Sequence, residues 1–189
     1  MKLPVKFGGL LCALFVAAIG HGCTKSNAPA GSGAGDAVTN VVSAQAAFEA
    51  LLPKQAQPKL PTIKVWVGAE ELETEMALTG PQQMAGMMWR TNMPENTAMI
   101  FVHPQPRQAS YWMKNCYVPL SIAYLDTDGV ILEIRDMHPH DTNSVNSAAM
   151  NVRFGLETPQ GWFQRHNVST GAVVRTERGS LPETFLRRN

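Results

Sequence analysis

The chain has 189 residues, 44% of them hydrophobic, with 16 Lys and Arg against 15 Asp and Glu and a formal net charge of +1. That length supports one ordinary core, and the near-neutral balance argues against nucleic acid or a polybasic membrane contact as partner. Three cysteines, Cys12, Cys23 and Cys116, are too few for a disulfide framework.

Lys2 and Lys6 precede an apolar run from Phe7 to Ile19, followed by Gly20-His21-Gly22-Cys23. A charged start, a short apolar stretch and small residues before a cut predict an export signal over residues 1–22. The run is too short to span a bilayer, which takes about 20 apolar residues. Cys23 after a small residue resembles a bacterial lipobox, although Gly20 stands where that box usually has Leu. The expectation is an acylated Cys23 anchoring the protein to a membrane of the cell envelope, periplasm-facing or at the surface. Plain secretory cleavage and an uncleaved anchor are the alternatives. Loss of residues 1–22 removes Lys2 and Lys6 and no acid, so +1 less two becomes −1. Cys116 is then without an internal disulfide partner.

Residues 23–60 read as a tether. The stretch Thr24-Lys25-Ser26-Asn27-Ala28-Pro29 and the Gly-rich residues after it bury nothing. Val38, Val41, Val42, Phe48, Leu51 and Leu52 have the spacing of a short amphipathic helix over 37–52, or lie on a partly ordered linker. Pro53, Pro58 and Pro61 lead into a globular domain over 61–176.

Ile63, Val65 and Val67 alternate as a strand; Gly68-Ala69 turns the chain; Leu72, Thr74 and Met76 form a second strand with Glu71, Glu73 and Glu75 on a solvated face. Thr79-Gly80-Pro81-Gln82 predicts a capped helix start, with Met84, Met87 and Met88 following and an end near Arg90-Thr91-Asn92. Ala98–Val102 reads as a buried strand bounded by Pro104-Gln105-Pro106, and Ser110–Met113 as another. Leu120, Ile122 and Tyr124 lead through the Asp128-Gly129 turn to Val130, Leu132 and Ile134. Residues 138–148 read as a loop, Val152, Phe154 and Leu156 as a strand, Pro159–His166 as a short helix, Ala172–Val174 as a closing strand and 177–189 as a loose tail. These elements predict a mostly β fold with two or three short helices, a compact single-domain β barrel or sandwich.

Residues 111–115, Tyr-Trp-Met-Lys-Asn, resemble the Trp-Met-Lys-Asn-Thr segment of the prokaryotic "domain of unknown function 192" family. Gly86-Met87-Met88-Trp89-Arg90, Met99-Ile100-Phe101-Val102, Pro119-Leu120 and the Asp128-Gly129 hairpin follow that family's order from about Val65 to Val174. The resemblance implies the same mostly β domain and assigns no activity. Family members usually carry Thr at Cys116 and Asp at Ser121, so a role for that Asp would be missing here.

The chemistry concentrates at Arg90, Trp112, Lys114 and Asn115. Two cations, an indole wall and an orienting amide suit a small anionic or sugar-like ligand, or an envelope protein. The structural alternative places Trp112 in the core and Lys114 in solvent. Cys116 with His138 or His140 would make a thiol-dependent or hydrolytic enzyme if the thiol were activated; the family's usual Thr argues for packing. Met137-His138-Pro139-His140-Asp141 and the methionines lack zinc-type spacing, and methionine is common core filler, so no metal or cofactor is expected. His103 reads as a turn residue. The balance favours a lipid-anchored binding or accessory module over an enzyme.

Overall fold

In the computed structural model of the protein, residues 46–187 are described. They belong to the second of two units into which the chain divides, 1–43 and 44–189. The export segment, Cys23 and most of the tether lie outside the described residues.

Residues 46–51 are helical (α1). Leu52 and Leu60 after it are buried in the core, so ordered packing begins before residue 61. The alternation at 62–77 folds as an antiparallel hairpin, β1 (Thr62–Val67) and β2 (Glu70–Ala77), with Val65 opposite Leu72 and both fully buried. Two of the three expected solvated acids are at the surface, Glu71 paired with Lys64 and Glu73 with Lys59, each at 2.8 Å; Glu75 departs from the reading and is half-buried against Arg90.

α2 (Gly80–Ala85) starts on the expected reciprocal cap. Gln82 N donates to the Thr79 hydroxyl, and Thr79 N donates to Gln82 Oε1. The helix stops at Gly86, earlier than the methionine spacing suggests, so Met87 and Met88 are buried from a turn. β3 (Thr97–Arg107) runs through Pro104 and Pro106 instead of ending before them. The register slips between Val102 and Arg107, where those donorless residues fall.

β4 is only Ser110–Tyr111; the expected strand to Met113 gives way to a turn at Lys114–Asn115. β5 (Leu120–Leu125) and β6 (Ile131–Met137) form the predicted hairpin. Asp126 Oδ1 accepts from Asp128 N and Val130 N, both at 2.9 Å. Gly129 has φ 82°, and an added Cβ would lie 2.8 Å from the Val174 carbonyl oxygen. The polar loop contributes β7 (Val145–Asn146), which pairs with β4.

β8 (Val152–Pro159), α3 (Trp162–Arg165), β9 (Val174–Thr176), β10 (Gly179–Ser180) and α4 (Leu181–Phe185) complete the described chain. The last two occupy part of the segment whose sequence reads as a loose tail. α4 is capped by Ser180 and Glu183, and its Leu181 is fully buried.

Eight strands form one mixed sheet in the order β10-β9-β1-β2-β3-β8-β5-β6; β2 and β3 are parallel and every other neighbouring pair is antiparallel. The expected barrel is not closed. The hairpin tip reaches across to 171–174 through single bonds, including Val174 N to Gly129 O at 2.8 Å, and one isolated bridge, Val130 to Val173. A closed barrel needs a continuous ladder.

Both faces of the sheet are covered. One carries Met99, Phe101, Tyr111, Ile122 and Tyr124; the other carries Ile63, Val65, Phe154, Trp162 and Phe163. β5, deep in the sheet, is buried at every position, Ser121 and Ala123 included. Each large apolar side chain so buried stabilises the fold by about 1.5–3 kcal/mol. Among the described residues no helix is long and apolar enough to cross a membrane.

Candidate functional site

Alternation along β8 sets the centre of the site. Phe154 and Leu156 enter one apolar layer, so Gly155 and Glu157 face the other. Glu157 stands between Met99 of β3 and Ile122 of β5, both fully buried. Its side chain is only 4% exposed, and Oε2 is buried without a hydrogen-bond partner. An ionised carboxylate in such a place costs several kcal/mol unless it is paired. Burial accordingly pushes its pKa up to about 8, so at neutral pH the group is mostly a neutral carboxylic acid.

Gly155, two residues earlier on the same face, makes room for Tyr111. A Cβ at Gly155 would lie 2.1 Å from the Tyr111 hydroxyl oxygen. That hydroxyl is hydrogen-bonded to His103 Nε2 at 3.1 Å. His103 is buried on β3, not exposed at a turn. Burial first, then the nearby Arg107 and Arg153 guanidinium groups, hold its pKa down at about 4, so the imidazole is neutral. Burial, reinforced by the Glu157 charge, raises the Tyr111 phenol well above its ordinary value.

Above these groups is a hollow of about 490 Å³, within the range of small-molecule sites. Phe48, Met84, Met88, Tyr111, Trp112 and Glu157 are among its walls. Phe48, on α1, meets Trp112 with ring centroids 5.9 Å apart. The hollow is therefore aromatic and thioether-lined, with one acid buried in it and Arg107 and the neutral His103 also in its wall.

The residues singled out in the sequence divide between two places. Trp112 is in this hollow, and Lys114 Nζ lies 5.6 Å from the Trp112 ring centroid while ion-paired to Glu49. Asn115 adopts φ 59°, and its backbone oxygen accepts from Trp89 N at 2.7 Å. Arg90 lines a neighbouring hollow of about 320 Å³, and Met87 lines both. There Arg90 is engaged by Glu75, with Nη2 donating to Oε2 at 2.8 Å. Desolvation raises the Glu75 pKa, and the Arg90 and Leu60 N–H bonds outweigh it, leaving a net lowering. The four residues thus do not share one cleft.

Cys116 also lines the larger hollow. Burial first, then the Glu157 charge, pushes its thiol up to about 12, the opposite of nucleophilic activation. His138 and His140 are exposed; the His140 ring packs edge-on against Tyr117 at 4.8 Å, and its backbone N donates to Cys116 O at 3.2 Å. Among the described residues no three His, Cys, Asp or Glu side chains cluster in a way that would hold a metal ion. Ser121, where family members have Asp, is buried, donates from Oγ to Asp136 and accepts from Gly161 N at 2.8 Å.

One large open mixed sheet, with a buried acid beneath an aromatic hollow, defines a compact sheet-dominated domain. The chain belongs to the DUF192 family, described as an uncharacterized ACR, whose profile matches residues 63–176. Among solved structures it is similar to a protein from Sinorhizobium meliloti 1021 described as a "putative transcription regulator" (27% identity, TM-score 0.60, 64% of this chain and 98% of that one). It is also similar to a protein of unknown function from Novosphingobium aromaticivorans DSM 12444 (28% identity, TM-score 0.60, 64% and 90%). No curated protein matches at a significant level.

Proposed function

We propose that the protein is a lipid-anchored accessory module of the cell envelope that binds a small ligand in the hollow above β8. The observation that carries this reading is Glu157: a buried acid with an unpartnered oxygen, in the wall of a cavity of ligand size. A side chain so placed is a burden to the fold and an asset to a site that must grip a polar group. Trp112 serves as a wall, Lys114 and Asn115 hold the segment that carries it, and Arg90 braces the adjoining wall through Glu75. The neutral His103, the protonated Glu157 and the unactivated Cys116 favour binding over catalysis. The near-neutral chain favours a small molecule over the nucleic acid suggested by the name of the Sinorhizobium protein.

The test uses the full chain purified in detergent and dialysed against an envelope metabolite extract. Compounds retained by the wild type are compared with those retained by Ser110→Trp, which fills the hollow from an exposed lining position. Retention lost in the variant is the expected result; equal retention by both proteins overturns the reading. The anchor is tested separately. Palmitate labelling and membrane fractionation of the wild type are expected to disappear in Cys23→Ser, and a variant that stays labelled removes the anchor from the proposal.

A further inference from the structure

We infer that the hollow above β8 is built for a ligand bearing a primary or secondary ammonium group, with the Glu157 carboxylate as its counter-ion and the aromatic rings as its sides. The inference rests on the binding reading above and adds the chemical class.

Glu157 needs a donor that the protein does not provide. Its cross-strand neighbours Met99 and Ile122 offer only apolar side chains, and their backbones are committed to the sheet. The Tyr111 hydroxyl, which also faces this hollow, is hydrogen-bonded to His103. An ammonium supplies N–H donors and the opposite charge together, which is the pairing a desolvated carboxylate requires. Arg107, whose Nε donates to Gln108 O, also lines the hollow, so a carboxylate is the competing class, and titration with pentanoate decides between the two. A hard divalent cation wants about six oxygen ligands, and among the described residues Glu157 is the only carboxylate lining the hollow.

The walls agree. Phe48, Phe101, Tyr111 and Trp112 all line the space, and aromatic faces attract ammonium groups through their quadrupoles. The protein already uses one of these rings this way, with Lys114 Nζ 5.6 Å from the Trp112 centroid.

The proton balance is explicit. In the free protein Glu157 holds a proton at neutral pH; an amine in water, with pKa about 10.4, already carries its own. Binding therefore forms the ion pair and releases the Glu157 proton to solvent. Affinity should rise about tenfold per pH unit between pH 6 and 8 and level off above. The titratable and charged groups around Glu157 are Tyr111, Cys116, Tyr124, His103, Arg107 and Arg153. The thiol and both phenols titrate well above this window and His103 well below it.

The experiment is calorimetric titration of the full chain in detergent with butylamine, pentanoate, glucose and Cu(I), at pH 6, 7 and 8 and in two buffers of different ionisation enthalpy. Wild type, Glu157→Gln and Ser110→Trp are compared. The expected result is butylamine binding with release of about one proton at pH 6 and 7 and about half of one at pH 8, at least thirtyfold weaker in Glu157→Gln and abolished in Ser110→Trp. Butylamine binding that is unchanged in Glu157→Gln overturns the inference. So does binding of pentanoate, glucose or Cu(I) in place of butylamine; if that binding is lost in Ser110→Trp, the hollow is a site and only its chemical class is wrong. Cu(I) alone would assign the hollow to the thioethers of Met84, Met87 and Met88. No butylamine binding at any pH also overturns it, while the binding reading then stands or falls on the metabolite comparison.

Discussion

Trp89 and Asn115 are joined backbone to backbone, with Trp89 N donating to Asn115 O at 2.7 Å, and both residues hold positive φ, 65° and 59°. For Asn this conformation is common; for Trp it is an outlier. The bond ties the turn after α2 to the turn after β4, and both segments contribute lining residues to the hollow. Trp89 is fixed again by its indole, whose Nε1 donates to Pro53 O at 2.8 Å.

Asn115→Ala should therefore cost about 1–2 kcal/mol, the left-handed penalty for a residue with Cβ. Asn115→Gly should be close to neutral, because glycine reaches the same φ freely. Chemical denaturation of the two variants checks this, and an Ala variant as stable as the Gly variant would contradict it.

Gly155 should tolerate no side chain. Its missing Cβ is where the Tyr111 hydroxyl sits, so Gly155→Ala is expected to destabilise by about 2–3 kcal/mol through overpacking. It should also break the Tyr111–His103 hydrogen bond. Gly80→Ala is the control: nothing lies within 4 Å of the added methyl, and the site is helical. It should be neutral or stabilising by up to about 1 kcal/mol.

Stability should carry a pH signature. The folded Glu157 carboxyl is pushed up to about 8 by burial, against about 4.3 in the unfolded chain. The native state thus keeps a proton that the unfolded chain has lost, and stability falls as pH rises from about 4.3 through 8. Burial, chiefly, holds His103 down at about 4, against about 6.5 unfolded. Its contribution is full above 6.5 and is lost as pH falls towards 4. The two slopes oppose each other below pH 6.5, and only that of Glu157 remains between 6.5 and 8. Tm should drop across that interval, with stability falling by about 1.4 kcal/mol per pH unit. Glu157→Gln should flatten the curve. A wild-type Tm rising from pH 6.5 to 8 would refute the assignment.

Cys116 should resist alkylation. Buried, with its thiol pushed up to about 12, it presents almost no thiolate at pH 7.5. Peptide mass analysis after iodoacetamide treatment should find Cys116 unmodified in the native protein and modified after denaturation. Rapid native labelling would revive a catalytic thiol.

Local pattern carried much of this architecture. Strict alternation marks β1, β2 and the β5–β6 hairpin, and Thr79 with Gln82 announces α2. What it did not carry depends on distant neighbours. Arg153, Gly155 and Glu157 alternate with Phe154 and Leu156, which suggests a solvent face for the polar set. Only the insertion of β8 between β3 and β5, under the Tyr111 segment, makes that face an interior one. The signal for Glu157 was a lone acid in a strand whose other face is wholly apolar. His103 was masked by Pro104, because a proline inside a strand is tolerated only where the ladder slips. The Ser110–Met113 run reads as a strand through Trp112, whereas the strand stops at Tyr111 and Asn115 turns the chain. The Ser180-Leu181-Pro182-Glu183 cap was present in the sequence and sufficient to predict α4.

β8 is the keystone of the sheet: it is wedged between two strands made long before it, pairing Met99 and Ile122 with the same Glu157. Without its last quarter the chain has two half-sheets with raw edges at β3 and β5. Neither is complete until β8 lies between them, and the same insertion seals the acid inside.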